Sequence, residues 1–353
     1  MKIPILPFLM TAAIMLVIPS CKEKQAVPDD ERVCLIMDTD IGNDVDDALA
    51  LDMLYKYMDA GEIDLLAINV SKEGDGPAEC IDIFNTWYGY PDIPVGVVRN
   101  SPYKQRKENF AQTVVDLKDE QGNPLFHRSG IEYEKLPDAE KLYRKVLAAQ
   151  KQDHSVVIVS VGFFTNLSRL LQSGPDEYSD LSGKELVERK VDRLVVMAGC
   201  FDDPSWLEYN VVKDIPSAQS VFRDWPGEIY ASPFELGKKI LYPGESIEHD
   251  FDWAGAHPVV EAYKDYLPMP YDRPTWDPTA VLFAVEGPEQ FIVSPPGRIE
   301  VTEEGSTFFT PEEGGNHHYL MVNEDQTRTI REHFIHIITS HPLNRQEAAL
   351  PES

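Results

Sequence analysis

Basic residues are scarce in this chain. Its 353 residues hold 32 Lys and Arg against 60 Asp and Glu, a formal charge of −28 at pH 7. Binding to nucleic acid rests on Lys and Arg neutralising phosphates, so no nucleic acid partner is expected. An anionic substrate would also be repelled unless a metal intervened. Cysteine is sparse as well. Three of the four, Cys34, Cys80 and Cys200, lie in apolar surroundings with no CxxC spacing. They read as small buried residues, not as metal ligands or a nucleophile. There is no internal repeat and no low-complexity segment. Long apolar runs are missing too, apart from one at the start, and that one is too short for a comfortable membrane span.

That run, Phe8 to Ile18, follows a thin positive region at Lys2 and precedes Ile18-Pro19-Ser20-Cys21. The arrangement resembles a bacterial lipoprotein cleavage site, with Cys21 as the residue that takes the lipid. An ordinary secretory signal is the competing reading, but a Cys at this place favours the lipoprotein. Residues 1–20 are therefore expected to be a signal peptide and 21–31 a polar tether. Residues 32–345 are expected to form a single α/β domain, held in the bacterial cell envelope by a lipid on Cys21. With 42% apolar residues, the domain can bury a sizeable core.

What the chain has in excess is acid in one place. Asp38, Asp40, Asp44, Asp46 and Asp47 fall within ten residues. Val33-Cys34-Leu35-Ile36-Met37, just before them, reads as a buried strand. After them Leu49, Met53, Leu54 and Tyr57 share one helical face. The acids thus sit on a strand-to-helix turn that Gly42 makes tight. A helix N-terminus favours an anion but does not neutralise five. Such a cluster needs a cation, and carboxylate oxygens suit a hard one, Ca²⁺ or Mg²⁺.

Strand and helix patterns then alternate. Strands are expected at 63–70, 93–98, 155–161, 191–198 and 228–232. Helices are expected at 78–88, 138–152, 165–171, 215–225, 257–267, 277–285 and 326–340. Residues 100–137 read as an irregular excursion and 291–322 as short strands or hairpins. The alternation implies an open, mainly parallel, doubly wound α/β sheet with a small C-terminal hairpin region. Ligands bind outside the carboxyl ends of such strands, where the acids fall. Phe163, Phe164, Trp206, Tyr209 and Trp253 are aromatic candidates near that mouth, most of them expected in the core. His317 and His318 would point to opposite faces of a strand, so they read as surface polar residues and not as a metal pair.

In order along the chain come Asp38-Thr39-Asp40-Ile41-Gly42 with Asp46-Asp47-Ala48, Ala67-Ile68, Asn85-Thr86, Asp92-Ile93-Pro94-Val95, Val161-Gly162-Phe163-Phe164-Thr165-Asn166, Met197-Ala198-Gly199, Glu208-Tyr209-Asn210 and Trp276-Asp277. This ordered set, from about Val33 to Val285, resembles the inosine/uridine-preferring nucleoside hydrolases. The resemblance implies hydrolysis of the N-glycosidic bond of a riboside, which releases ribose and base. It implies one Ca²⁺ held by Asp40, Asp47, Asp277 and the backbone carbonyl of Val161, with Asp40 also the general base. It gives Asp46, Glu208 and Asn210 to the ribose hydroxyls, and it is compatible with a homo-oligomer. Asp277, followed by Pro278, also suits a helix N-cap, and the two roles can coexist.

The departures are Ile41 for the family's Pro, an insertion around Asp44 that offers Asp44 as well as Asp46 for the ribose place (Asp46 is chosen for its adjacency to Asp47-Ala48), and Ser71-Lys72-Glu73-Gly74-Asp75 in place of its Asn. Trp276 stands where many relatives put a proton-donating His. Indole is no general acid near neutral pH, so two roles are open to Trp276, stacking on the leaving base or packing against the core, and the neighbouring Asp277 favours stacking. Two other readings compete: an Asp-x-Asp phosphatase, and a lipid-anchored nucleoside- or sugar-binding protein that kept the metal and lost turnover.

Overall fold

The computed structural model describes residues 32–103 and 109–344. The signal peptide, the tether and Cys21 lie outside the described residues. No helix among those described is long and apolar enough to cross a membrane.

The strands are β1 (Val33–Thr39), β2 (Ile63–Val70), β3 (Val95–Val97), β4 (Val156–Ser160), β5 (Val191–Met197), β6 (Glu228–Ser232), β7 (Leu241–Tyr242), β8 (Arg273–Pro274), β9 (Ile292–Val293), β10 (Gly297–Val301), β11 (Thr307–Pro311) and β12 (His317–Met321). The helices are α1 (Asp46–Asp59), α2 (Asp75–Trp87), α3 (Phe110–Asp116), α4 (Ala139–Ala149), α5 (Thr165–Gln172), α6 (Gly183–Lys190), α7 (Tyr209–Lys213), α8 (Ile215–Asp224), α9 (Phe234–Gly237), α10 (Gly244–His249), α11 (Pro258–Tyr266), α12 (Trp276–Glu286) and α13 (Glu324–Thr339).

One sheet carries ten strands in the order β11-β10-β12-β6-β5-β4-β1-β2-β3, with β9 beside β12 off that path. From β12 to β3 every neighbouring pair is parallel. Such strands must be apolar on both faces. β4 reads Val-Val-Ile-Val-Ser and is buried throughout. Its residues alternate between two cores. Val157 and Val159 join Leu35, Met37 and Val195 under α1, α2, α11, α12 and α13. Ile158 joins Ile36, Leu194 and Val196 under α4, α5, α6 and α8. The sheet is thus doubly wound, as the alternation implied. α12 is apolar nearly all round, and Asp277 to Ala284 are all buried, so it is a core helix, not an amphipathic one.

The C-terminal region differs from the expected small hairpin. β10 and β11 pair antiparallel, but β12 returns parallel to β6 and extends the main sheet. This corrects the reading of His317. Because β12 lies between β6 and β10, His317 is only 2% exposed, and its Nδ1 accepts the Ile299 N–H at 2.8 Å. Burial pushes its pKa down to about 4. His318 does face the other way and stacks on Tyr230. The 100–137 excursion is also less irregular than expected, since it holds α3, capped by the Asn109 side chain.

Candidate active site

β1 ends and α1 begins around the acidic turn. Gly42 adopts φ +111°, a conformation that side-chain-bearing residues rarely take. The Thr39 hydroxyl accepts the Ile41 N–H at 3.0 Å and donates to the Asp47 carboxylate. Asn43 donates to Asp40 at 2.6 Å and in turn accepts from Lys72 at 2.8 Å. Lys72, just past β2, is itself buried. A second strand end closes in from β4. A Cβ on Gly162 would lie 2.3 Å from the Ser71 hydroxyl and 2.6 Å from the Asp40 nitrogen. Only glycine therefore lets the Val161-Gly162 backbone lie against the acidic turn. From the far side comes α12. Thr275 is its N-cap, and Asp277 lies within the first turn with its N–H donating to Asp46 at 3.0 Å. Asp277 is therefore not the cap, and its carboxylate is left for other work.

Asp40, Asp44, Asp46, Asp47, Val161, Glu208, Asn210, Trp276 and Asp277 all line one cavity of about 820 Å³. It opens at the carboxyl ends of β1, β4 and β5, the place where open parallel sheets bind ligands. Every residue that the sequence assigned to metal or substrate lines it. Asp38 does not. It lies buried beneath and accepts from Tyr143 and Asn166.

The floor carries more negative charge than its surroundings balance. Burial pushes Asp40 up to about 6, against the Asn43 hydrogen bond and the Lys72 charge. Burial, then the neighbouring carboxylates, push Asp46 and Asp277 well above the ordinary range. Asp47 is raised by burial and by Asp40. No Lys, Arg or His lines the cavity among the described residues. Hard oxygen donors, closely spaced and under-neutralised, fit a divalent cation in kind and in charge. Among the described residues no group of three His, Cys, Asp or Glu side chains is yet assembled to hold one. Asp40 and Asp47 are instead engaged by Asn43 and Thr39.

The residues given to ribose carry structural duties too. Glu208 is the N-cap of α7, where it accepts the N–H groups of Asn210 at 2.9 Å and Val211 at 3.1 Å. Burial still pushes it up to about 7. Asn210 donates its amide to the carbonyls of Val161 at 2.9 Å and Met197 at 3.1 Å. It thereby ties together the ends of β4 and β5.

The outer wall is aromatic. Trp206 stacks on Phe234 at 4.6 Å, and Phe234 stacks on Trp276 at 5.5 Å. The Trp276 N–H donates to the Phe234 carbonyl at 2.9 Å, so it is spent on the wall. Tyr103 and Tyr209 stand opposite, hydroxyl to hydroxyl at 3.3 Å. Of the aromatic candidates, Trp206 and Tyr209 line the cavity, Phe163 and Phe164 are buried, and Trp253 packs elsewhere, against His341. Sequence reasoning gave no role to Asn43, Lys72, Phe234, Tyr266 or Arg273. Asn43 lay inside the acidic motif and Lys72 at a strand's carboxyl end, and those places were the signal. Nothing in the sequence pointed to Phe234 or Arg273.

The pattern of one family, described as inosine-uridine preferring nucleoside hydrolase, matches residues 35–338. No curated protein matches the chain by sequence. Among solved structures, the purine-preferring ribonucleoside hydrolase from Gardnerella vaginalis superposes with a TM-score of 0.67 at 18% identity, covering 87% of this chain and 98% of that one. The inosine-uridine preferring nucleoside hydrolase from Bacillus anthracis gives 0.62 at 18%, covering 86% and 99%. The type III effector protein XopQ, complexed with adenosine diphosphate ribose, gives 0.60 at 16%, covering 88% and 95%. At such identities the likeness speaks for the fold alone. The family pattern, however, runs through the acidic turn, Glu208-Tyr209-Asn210 and Asp277 alike. The protein therefore belongs to the inosine-uridine preferring nucleoside hydrolases, metal-dependent N-glycosyl hydrolases that break the glycosidic bond of nucleosides.

Proposed function

We propose that the protein hydrolyses ribonucleosides, or a closely related riboside, with Ca²⁺ as its cation. One observation carries this reading: Asp40, Asp46, Asp47 and Asp277, all buried, meet at the floor of one cavity with too little positive charge around them. Asp40, Asp47, Asp277 and the Val161 carbonyl would hold the ion. When bound, it supplies Lewis-acid polarisation of water and a template for vicinal hydroxyls.

The chain's own groups do the rest. Asp40 takes the proton of the attacking water, a contribution of typically ~10²–10⁴-fold. Water adds to C1′ as the C–N electron pair departs with the base, through an oxocarbenium-like transition state. Asp46, Glu208 and Asn210 accept from or donate to the ribose hydroxyls. Buried acceptors discriminate strongly against a sugar that lacks the hydroxyl. Trp276 forms part of the base wall. With its N–H held by Phe234, it does not protonate the leaving group, whose proton comes from water or another side chain. A phosphatase would want basic side chains on the phosphate, and no Lys or Arg lines the cavity among the described residues, which weighs against that reading.

Incubation with a panel of ribosides, with EDTA or with Ca²⁺, tests the proposal through release of free ribose and base. Release from no riboside at any Ca²⁺ concentration would sink it. The proposal includes the lipid on Cys21, hence a place in the bacterial cell envelope, and a homo-oligomer, which light scattering on the purified protein would check.

A further inference from the structure

Arg273, on β8, does not line the cavity, yet it grips three residues that do. Its Nε donates to Asp44 Oδ1 at 2.9 Å, and its Nη2 donates to Asp44 Oδ2. Nη2 also donates to the Tyr266 hydroxyl at 2.9 Å. The guanidinium carbon lies 4.8 Å from the Tyr266 ring centroid and 5.2 Å from that of Trp276. The side chain is only 18% exposed, so this is a built contact and not a loose surface pair.

The pair spans two segments that regular structure does not join. Asp44 lies in the inserted part of the acidic turn, between Asp40 and Asp46-Asp47. Arg273 lies just ahead of α12, whose first turn carries Asp277. The acidic turn, by its own charge, tends to spread. α1 packs on α12 through a shared apolar core; at the polar end, beside the Asp277 N–H to Asp46 contact at 3.0 Å, the Arg273–Asp44 fork ties the turn to the segment that leads into that helix. We propose that Arg273 is a positioning residue for the cation site. Its two-pronged hold on Asp44 sets the spacing of Asp40 and Asp47 against Asp277, and through it the affinity for a divalent cation. Asp44 is thereby a strut and not a ribose ligand. Arginine suits the task because a planar fork can take both carboxylate oxygens and lie against two rings at once, which an ammonium cannot.

The inference rests on the floor being a cation site, and calorimetric Ca²⁺ titration separates the two. Removing a positive charge near a cation site should, by Coulomb's law alone, tighten binding. Positioning predicts the opposite. Arg273→Met is expected to weaken Ca²⁺ binding about 10-fold, the lower end of what loss of a ligand's outer partner costs. Its melting temperature in EDTA is expected to fall, because the fork and both ring contacts are lost, so affinity is compared at a temperature where both proteins are fully folded. Asp44→Asn should weaken binding similarly. The double variant should be no weaker than Asp44→Asn alone, because the two residues act as one unit. Binding in Arg273→Met as tight as in wild type, or tighter, overturns the inference and leaves the proposed function standing, as do losses that simply add in the double variant. A wild-type protein that binds no divalent cation removes the ground for both. If Arg273→Met does not fold, Arg273→Lys keeps the charge without the fork. A few-fold loss of affinity there supports the inference, and wild-type affinity overturns it.

Discussion

Stripping the cation should make the protein's stability fall as pH rises, and adding Ca²⁺ should remove that fall. The reasoning begins at Asp40. Its side chain is buried at the cavity floor, and burial pushes its pKa up to about 6 from an ordinary 3.8. A native carboxyl with a raised pKa holds its proton when the unfolded chain has already lost it. The native state thus binds more protons, and stability must decrease with pH. The favourable term is complete below the ordinary pKa and gone above about 6. At ~1.4 kcal/mol per pH unit, a rise of that size corresponds to a loss on the order of 3 kcal/mol across that window, and it belongs to the interacting carboxylates of the floor and not to Asp40 by itself. Asp46, Asp47 and Asp277 shift in the same direction, so the slope should be steeper than one group gives. Ca²⁺ binds the ionised form, and its effect must grow over the same range. At 100 times the dissociation constant it adds about 2.7 kcal/mol. The assay is thermal or urea unfolding at pH 5 and pH 8, each with EDTA and with Ca²⁺. Comparing the two curves cancels titrating groups outside the site. A Ca²⁺ stabilisation equal at both pH values, or larger at pH 5, would refute the reasoning.

Three further outcomes are expected. Asp47→Ala and Asp277→Ala should each abolish Ca²⁺-induced stabilisation at pH 8, and undiminished occupancy in metal analysis of both proteins would rule out the site as drawn. Trp276→Ala should cost about 2 kcal/mol, below the range for a wholly buried Trp, because the ring is part-buried between Phe234 and Arg273; Trp276→Phe should cost about 1 kcal/mol, the worth of the hydrogen bond to Phe234. If Trp276→Ala leaves both melting temperature and turnover intact, the ring holds neither the wall nor the base. Cys21→Ser should release the protein from membranes or block its processing, and membrane fractionation identical to wild type would refute the anchor.

What the sequence disclosed, and what it hid, follows from the range of the forces involved. The parallel strands were legible because burial on both faces forces unbroken apolar runs such as Val156 to Val159. The cavity floor was legible because Asp40, Asp46 and Asp47 cluster in sequence as well as in space, and closely set carboxylates behind a buried strand suit a cation. His317 was misread because its burial depends on which strand lies beyond it. That is a property of sheet order, to which the local pattern is blind. The same blindness hid the second duty of Glu208. A glutamate that caps a five-residue helix leaves no periodic trace, and the cap only becomes visible once α7 exists.

Trp276 makes the sharper case. Chemistry alone excluded it as a proton donor, and that exclusion agrees with an indole N–H already bonded to the Phe234 carbonyl. Chemistry alone left it either a stacking surface or a packed ring, and the fold does not leave it free. Phe234 lies parallel to it, Gly237 is so close that a Cβ there would stand 2.5 Å from its ring, and the Arg273 guanidinium is 5.2 Å from its centroid. A ring held on so many sides cannot turn to meet different bases. Under the proposed function, selectivity for the leaving group is then expected from the rings nearer the opening, where Trp206 and Tyr209 are 47% and 42% exposed. Under the proposed function, the acidic floor is the part that follows the family pattern, and the aromatic wall around Trp276 is where this chain departs from it.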